Sequence, residues 1–267
     1  MSPPDPIGVF DSGVGGLSVL REIRTLLPHE HVLYVADSAH APYGDKPDEY
    51  VLQRDMTIAR FLVEQGAKAL VLACNTATAG SVDALRAAYP VPIVAIEPAV
   101  KAAVAATRTG VVGVLVTAAT AASGRYASLL KRFGGEIEVI TVPAPGLVEH
   151  IERDDLDGPE IRTLAEGYLH PILDGGADII VLGCTHYVFI RPMLASIAGP
   201  NIELVDTGAA VARQVKRILA ERHLLNPSAE PGSERFWTSS SERSVTDVMA
   251  RLYGARIDVE GLPGPVC

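Results

Sequence analysis

Two cysteines stand at matching places in the chain. Cys74 closes the run Val71-Leu-Ala-Cys74 and is followed by Asn75-Thr76; Cys184 closes Val181-Leu-Gly-Cys184 and is followed by Thr185-His186. A single cysteine in an apolar run is commonly an inert core residue. Two of them at corresponding strand ends, each leading into a helix N-terminus, sit where a thiol pKa falls and a thiolate can act as a base. Zinc fits Cys74, Cys184 and His186 poorly, because no C-x-x-C or H-x-x-x-H pair occurs, and no metal is assigned. Nucleophilic hydrolysis with His186 as base would use one cysteine and leave the other without a task. A pyridoxal enzyme needs a Schiff-base lysine, and no lysine ends a strand beside a phosphate loop. Cys267, the last residue, falls outside the pattern.

Asp11-Ser-Gly-Val-Gly-Gly16 lies between an apolar run and a helical pattern. Such a turn either aims the N–H groups of a helix N-terminus at an anion or is simply a tight turn with an N-cap. A dinucleotide site is the rival, with Asp37 ending the next strand. The spacing opposes it: G-x-G-x-x-G needs Gly or Ala three positions after Gly15, where Ser18 stands. Asp11 would also face the pyrophosphate.

The elements that must position these residues follow from the alternation of short Val/Ile/Leu runs with longer amphipathic stretches. Ile7–Phe10, His31–Val35, Ala69–Ala73 and Val91–Ile96 read as strands, with helices through Leu17, Leu20, Ile23 and Leu27 and around Tyr50 to Gly66 between them. Continuous apolar strands separated by helices predict an α/β chain with mostly parallel sheets covered on both faces. The series occurs twice. Gly8-Val-Phe-Asp11 is echoed by Gly113-Val-Leu-Val-Thr117, Val32–Val35 by Ile137–Ile140, Val71–Thr76 by Val181–His186, and Ile96-Glu97 by Val205-Asp206. Duplication predicts two similar three-layer α/β domains, 1–97 plus 209–267 and 98–208. In the last segment, Phe236-Trp-Thr238 reads as a strand and Val245 to Tyr253 as a helix that packs back on the first half. Ligands of such sheets bind beyond the carboxyl ends of the strands, where Asp11, Cys74, Thr117 and Cys184 all fall. Two domains facing across a cleft would bring the cysteines in from opposite walls.

Composition narrows the classes. A chain of 267 residues that is 48% hydrophobic and 21% charged can build one large core or two smaller ones. Its net charge of −9 argues against a nucleic-acid backbone or an anionic membrane as main partner. Three cysteines make no disulfide framework and point to a reducing compartment. Met1–Pro6 lacks the basic and apolar regions of a signal peptide, and the uncharged stretch Thr109–Gly124 is too short to span a bilayer. A cytoplasmic location is expected.

Asp11–Gly16, Pro42-Tyr-Gly44, Ala73-Cys-Asn-Thr-Ala-Thr-Ala79, Glu97-Pro-Ala-Val-Lys101 and Leu182-Gly-Cys-Thr-His186, in this order over residues 7 to 210, together resemble the bacterial glutamate racemases of the aspartate/glutamate racemase superfamily. Either cysteine motif alone would also fit aspartate or hydantoin racemases. The resemblance implies two α/β domains related by a pseudo-two-fold, with L- or D-glutamate in the cleft between them, no cofactor, and D-glutamate supplied for peptidoglycan. It implies that Cys74 deprotonates D-glutamate and Cys184 L-glutamate, each acting as the acid for the other. Asp11 and His186 match positions that assist Cys74 and Cys184, and Glu152 matches a further assisting acid. Substrate contacts are implied for Asp11, Ser12, Tyr43, Gly44, Asn75, Thr76, Thr117, Thr120, Thr185 and His186.

Around Glu152 the chain departs from the family pattern. Ala144 replaces a frequent Cys and Glu149-His150 a more apolar stretch, so Glu149 is the alternative acid. Thr120 could simply cap a helix, and Tyr43 could be a hinge packing residue. The resemblance further implies a homodimer. Little chain precedes Ile7, so regulation by a peptidoglycan precursor through an N-terminal extension is not expected. The rival of a different class is a non-catalytic amino-acid-binding protein on the same duplicated cleft, which would not need both thiols.

Overall fold

The apolar runs form two parallel sheets in a computed structural model that describes residues 5–263. Cys267 and Met1–Pro4 lie outside the described residues. Strands β1 (Ile7–Asp11), β2 (Val32–Ala36), β3 (Ala69–Leu72) and β4 (Ile93–Ala95) belong to the first sheet. The second holds β5 (Val111–Val116), β6 (Glu138–Pro143), β7 (Ile179–Leu182) and β8 (Glu203–Val205), and β9 (Glu234–Thr238) and β10 (Val259–Gly261) return to the first. The strand orders are β10-β9-β2-β1-β3-β4 and β6-β5-β7-β8, with every pairing parallel. The order β2-β1-β3-β4 thus recurs as β6-β5-β7-β8, and the four echoed segments of the sequence occupy equivalent strands. The strand expected over 91–96 is shorter, because Pro90 and Pro92 have no N–H to offer a ladder.

Helices cover both faces of each sheet. They are α1 (Leu17–Leu26), α2 (Asp48–Glu64), α3 (Asn75–Ala88), α4 (Val100–Ala106), α5 (Ala118–Ala122), α6 (Gly124–Phe133), α7 (Leu147–Glu152), α8 (Pro159–Asp174), α9 (Arg191–Ala198), α10 (Gly208–Glu221) and α11 (Arg243–Tyr253). Side chains of a strand alternate between faces. Phe10, Leu72 and Trp237 therefore pack with Ile58 and Leu62 of α2 and Leu85 of α3, whereas Val9, Tyr34 and Val71 join Leu20 of α1 and Val215 of α10. In the second sheet Val114 and Val181 meet Val100 of α4 and Leu129 of α6, while Leu115 and Ile180 meet Leu169 and Ile172 of α8. Burying each such aliphatic side chain contributes about 1.5–3 kcal/mol. The echoed Gly8 and Gly113 both sit where a Cβ has no room: on Gly8 it would meet Leu70 of β3 and then Leu62 of α2, and on Gly113 it would press into Ile172 of α8. No helix among the described residues is long and apolar enough to cross a membrane.

One buried carboxyl departs from the apolar pattern. Asp55 of α2 is 1% exposed, and among the described residues neither of its oxygens has a hydrogen-bond partner. Burial pushes its pKa up to about 8; the adjacent Ser81 offsets this only in part, and Asp37 and Asp11 add to it. The folded state therefore holds a proton that the unfolded chain releases near its ordinary value of 3.8. This contribution to stability is complete at low pH and is lost as pH rises to about 8, by an amount on the order of a few kcal/mol. Asp55→Asn should remove the dependence, so that its Tm gains on the wild type between pH 5 and pH 9 in calorimetric melting. A Tm difference that stays constant across that range would contradict the assignment.

Candidate active site

The carboxyl ends of both sheets face one small pocket. From the first unit it is lined by Ser12, Pro42, Tyr43, Gly44, Cys74, Asn75 and Thr76, and from the second by Thr117, Val148, Cys184, Thr185 and His186. Both sulfurs are buried and unpaired. Asp11, Thr120 and Glu152, also marked by the sequence, do not line the cavity but stand behind residues that do. Pro42 and Val148 line it without having been marked; a proline and a valine carry no chemical signal of their own.

Behind Cys74 runs a chain of hydrogen bonds that ends in the opposite unit. Cys74 Sγ lies 3.5 Å from Ser12 Oγ, which donates to Asp11 Oδ1 at 3.0 Å, and Ser12 N–H donates to the same oxygen at 2.6 Å. The other oxygen, Asp11 Oδ2, accepts from the Thr185 hydroxyl at 2.8 Å. Cys74 caps α3, accepting from Ala77 N–H at 3.4 Å. The expected fall in its thiol pKa does not follow. Burial pushes it well above 9.0 and the Asp11 carboxylate adds to the rise, outweighing the donors Ala77 and Ser12. Burial likewise raises Asp11, against the opposing pull of His186, Thr185 and Ser12.

The chain behind Cys184 is built differently. Cys184 leads into a short 3-10 turn at His186–Ile190 rather than directly into an α-helix. Its sulfur lies 3.7 Å from His186 Nδ1, and His186 Nε2 is 2.6 Å from Glu152 Oε1. Burial works against a charge on this ring, but its bonds to Cys184 and Glu152 carry the pKa well above the usual histidine value. Acceptors at both ring nitrogens thus favour the protonated form of His186. Glu152, and not Glu149, makes this contact from the end of α7. Its Oε1 also accepts Val14 N–H at 2.7 Å in the first unit. The anion held by the Gly13–Gly16 turn is thus the protein's own carboxylate. Gly13 and Gly15 make room for it, since a Cβ on Gly13 would overlap the Glu152 carboxylate and one on Gly15 the His186 ring.

Three threonine hydroxyls close the seam between the units. Thr76 and Thr117 are 2.9 Å apart, and Thr117 donates to Thr120 at 2.9 Å while also capping α5. Asn75 lines the cavity with neither end of its amide partnered among the described residues. Ser18, which breaks the dinucleotide spacing, donates to Gly15 O at 2.8 Å and lies 3.2 Å from Thr185 O across the seam. Asp37 has another use as well: its Oδ2 accepts the Tyr43 hydroxyl at 2.6 Å, and Arg54 grips both of its oxygens. Sequence spacing held no signal for Arg54, one of two arginines along an amphipathic helix. Among the described residues no group of three or more His, Cys, Asp or Glu is arranged to hold a metal ion.

With this geometry the chain can be set beside known proteins. The family described as Asp/Glu/Hydantoin racemase matches residues 7–215. A glutamate racemase of Stutzerimonas stutzeri is 54% identical over 259 residues, covering 97% of each chain. Among solved structures, a glutamate racemase of Bacillus anthracis superposes with TM-score 0.90 at 31% identity, covering 98% of this chain and 99% of that one. The Escherichia coli glutamate racemase, solved with L-glutamate and the activator UDP-MurNAc-Ala, superposes with TM-score 0.85 at 32% identity, covering 97% and 98%.

The raised Cys74 thiol has a direct consequence for reactivity, because the thiolate is the nucleophile. In a Cys184→Ala variant, iodoacetamide should modify Cys74 at pH 8 at least about tenfold more slowly than it modifies free cysteine, and the rate should still be climbing above pH 9. Peptide mass spectrometry separates this site from Cys267. Rapid labelling of Cys74 at pH 7 would contradict the electrostatics described above.

Proposed function

The chain belongs to the Asp/Glu/hydantoin racemase family, and we propose that it interconverts L- and D-glutamate by proton transfer between Cα and two thiols, without a cofactor. The observation that carries this reading is one pocket lined by a sulfur from each unit, each backed by its own acid–base chain. Racemisation removes a proton from one face of Cα and returns one to the other. Two acid/base groups approaching from opposite sides are what that reaction requires.

With L-glutamate bound, the Cys184 thiolate takes the Cα proton, and the Cys74 thiol delivers its own proton to the opposite face. The Cα–H bond breaks as S–H forms on Cys184, and the Cys74 S–H breaks as the new C–H forms. D-glutamate runs the sequence in reverse. The resting protein suits the first direction: the protonated form of His186 is favoured beside Cys184, while burial and Asp11 keep Cys74 protonated. Glu152 holds the imidazolium in place and balances its charge. Asp11 acts on Cys74 through Ser12 rather than by contact.

A thiolate is a weak base for an amino-acid Cα–H, so the carbanionic transition state needs preorganised donors in a site that excludes bulk water. Asn75 and Thr76, with the backbone N–H groups at Tyr43 and Gly44, supply neutral donors to the two substrate carboxylates, while Ser12, Thr117 and Thr185, whose hydroxyl hydrogens go to Asp11 and Thr120, shape the site around them. Thr120 supports them by orienting Thr117 and Thr76. Neutral donors let a protein of net charge −9 hold a substrate with two carboxylates. The reading extends to a cytoplasmic homodimer that supplies D-glutamate for peptidoglycan, built from 1–97 plus 209–267 and 98–208 about a pseudo-two-fold. It includes no nucleic-acid or membrane partner.

The test is incubation in deuterated water, without cofactor, with L-glutamate and separately with L-aspartate, following optical rotation and loss of the Cα–H signal. Glutamate should racemise and exchange. Exchange with neither amino acid would sink the racemase reading, and exchange with aspartate alone would move the substrate to that acid. Cys74→Ala and Cys184→Ala should each abolish racemisation, and robust turnover by either would exclude the two-thiol mechanism. Glu152→Gln removes a charge-assisted bond worth about 1.5–3 kcal/mol and should lower kcat/KM roughly ten- to a hundredfold. Because enantiomers have equal free energies, that fall must be the same in both directions.

A further inference from the structure

Arg54 lies outside the cavity, on the second turn of α2, and touches neither sulfur. Its guanidinium grips Asp37 as a fork, Nε donating to Oδ2 at 2.9 Å and Nη2 to Oδ1 at 2.8 Å. Asp37 is fully buried just beyond β2, where its N–H donates to Asp11 O at 3.0 Å. Its Oδ2 accepts the hydroxyl of Tyr43 at 2.6 Å. Tyr43 is buried, and the adjacent Gly44 lines the cavity facing Thr117 of the other unit. A carboxylate buried this deeply is strongly disfavoured without a countercharge. Arg54 supplies the charge and, through two parallel bonds, the orientation; a lysine would supply only the charge.

We propose that Arg54 is a positioning residue for substrate binding, which acts through Asp37 to hold the Tyr43–Gly44 loop in the shape that meets a substrate carboxylate. The loop between β2 and α2 is otherwise held by two short 3-10 turns, at Ser38–His40 and Tyr43–Asp45, and, ahead of Tyr43, by bonds from Ala39 N–H to Ser239 Oγ at 3.1 Å and between His40 Nδ1 and the Tyr50 hydroxyl at 2.5 Å. Without the fork, the loop has to be ordered by the substrate, and that ordering weakens binding. The thiols and their hydrogen-bond chains do not involve Arg54, so the chemical step is largely spared. The inference rests on the racemase reading of the cavity.

The test uses Arg54→Lys and Arg54→Gln in the full chain, with racemisation assayed from both enantiomers and binding of racemic glutamate measured by calorimetry. For Arg54→Gln, KM should rise and affinity fall about tenfold while kcat stays within about threefold, with the lysine variant intermediate. Tyr43→Phe keeps the ring and removes the bond to Asp37. Added to Arg54→Gln, it should weaken binding much less than it does alone, because both act through one carboxylate. A merely structural arginine would lower Tm and the active fraction with KM unchanged, and its effect would add to that of Tyr43→Phe. Either pattern overturns the proposal, as does unchanged binding by a folded Arg54→Gln protein. If the wild type still racemises glutamate in those cases, the reaction stands and only the role of Arg54 falls. A wild type that neither binds nor racemises glutamate would overturn both.

Discussion

Two carboxylates crossing between the units hold the site together. Asp11 leaves the first unit and accepts Thr185 of the second; Glu152 leaves the second and accepts Val14 N–H of the first. Each carboxylate also stands behind a cysteine through one side chain, Ser12 for Asp11 and His186 for Glu152. The bonds that fix the separation of the sulfurs are therefore the bonds that set their electrostatics. A shift of one unit against the other would break both at once, leaving buried charge unpartnered, which costs far more than a surface ion pair. The buried apolar cluster beneath, which joins α1 and α10 to the α8 face of the second sheet, resists the same motion.

The duplicated architecture was legible because parallel strands announce themselves as unbroken apolar runs, and their carboxyl ends are where side chains change character. Gly8 and Gly113, Cys74 and Cys184 sit at equivalent strand positions for steric and chemical reasons that act locally. Both cysteines, His186 and the seam threonines could be marked for the same reason. Asp37 and Arg54 could not. Their pairing joins residues 17 apart, across a loop whose path depends on where Tyr43 is buried. The glycine turn was readable as an anion site, but its anion is a side chain 138 positions away, and local spacing holds no record of so distant a partner.

The thiol at Cys74 shows where local rules fail. A helix N-terminus offers a sulfur one donor at 3.4 Å, which in an open site would favour the thiolate. Here the sulfur is also removed from water and placed near a carboxylate. Desolvation scales with burial, whereas the terminal donors number only a few, so burial decides the sign. The threonines follow the opposite logic. Thr117 was marked for substrate and does line the cavity, yet its oxygen also caps α5 and bonds Thr120. That hydroxyl is used within the protein, accepting Thr120 N–H and giving its one hydrogen to Thr120 Oγ1, so it shapes the site rather than donating into it.

A reaction symmetric in its end points does not require a symmetric site. Equal free energies of the enantiomers constrain only the ratio of kcat/KM in the two directions, not the energy of any protonation state of the free protein. The duplicated fold delivers one sulfur from each unit to a single pocket, and its equivalence ends there. Behind one sulfur stand a hydroxyl and a carboxylate, behind the other an imidazolium and a carboxylate. Were both sulfurs backed by imidazolium, both would favour the thiolate and neither would hold the proton that must be given back. Were both backed as Cys74 is, neither would readily act as base. For the proposed two-thiol reaction, which needs one group to take a proton and another to give one, two different chains behind the sulfurs are a use for the asymmetry rather than a residue of imperfect duplication.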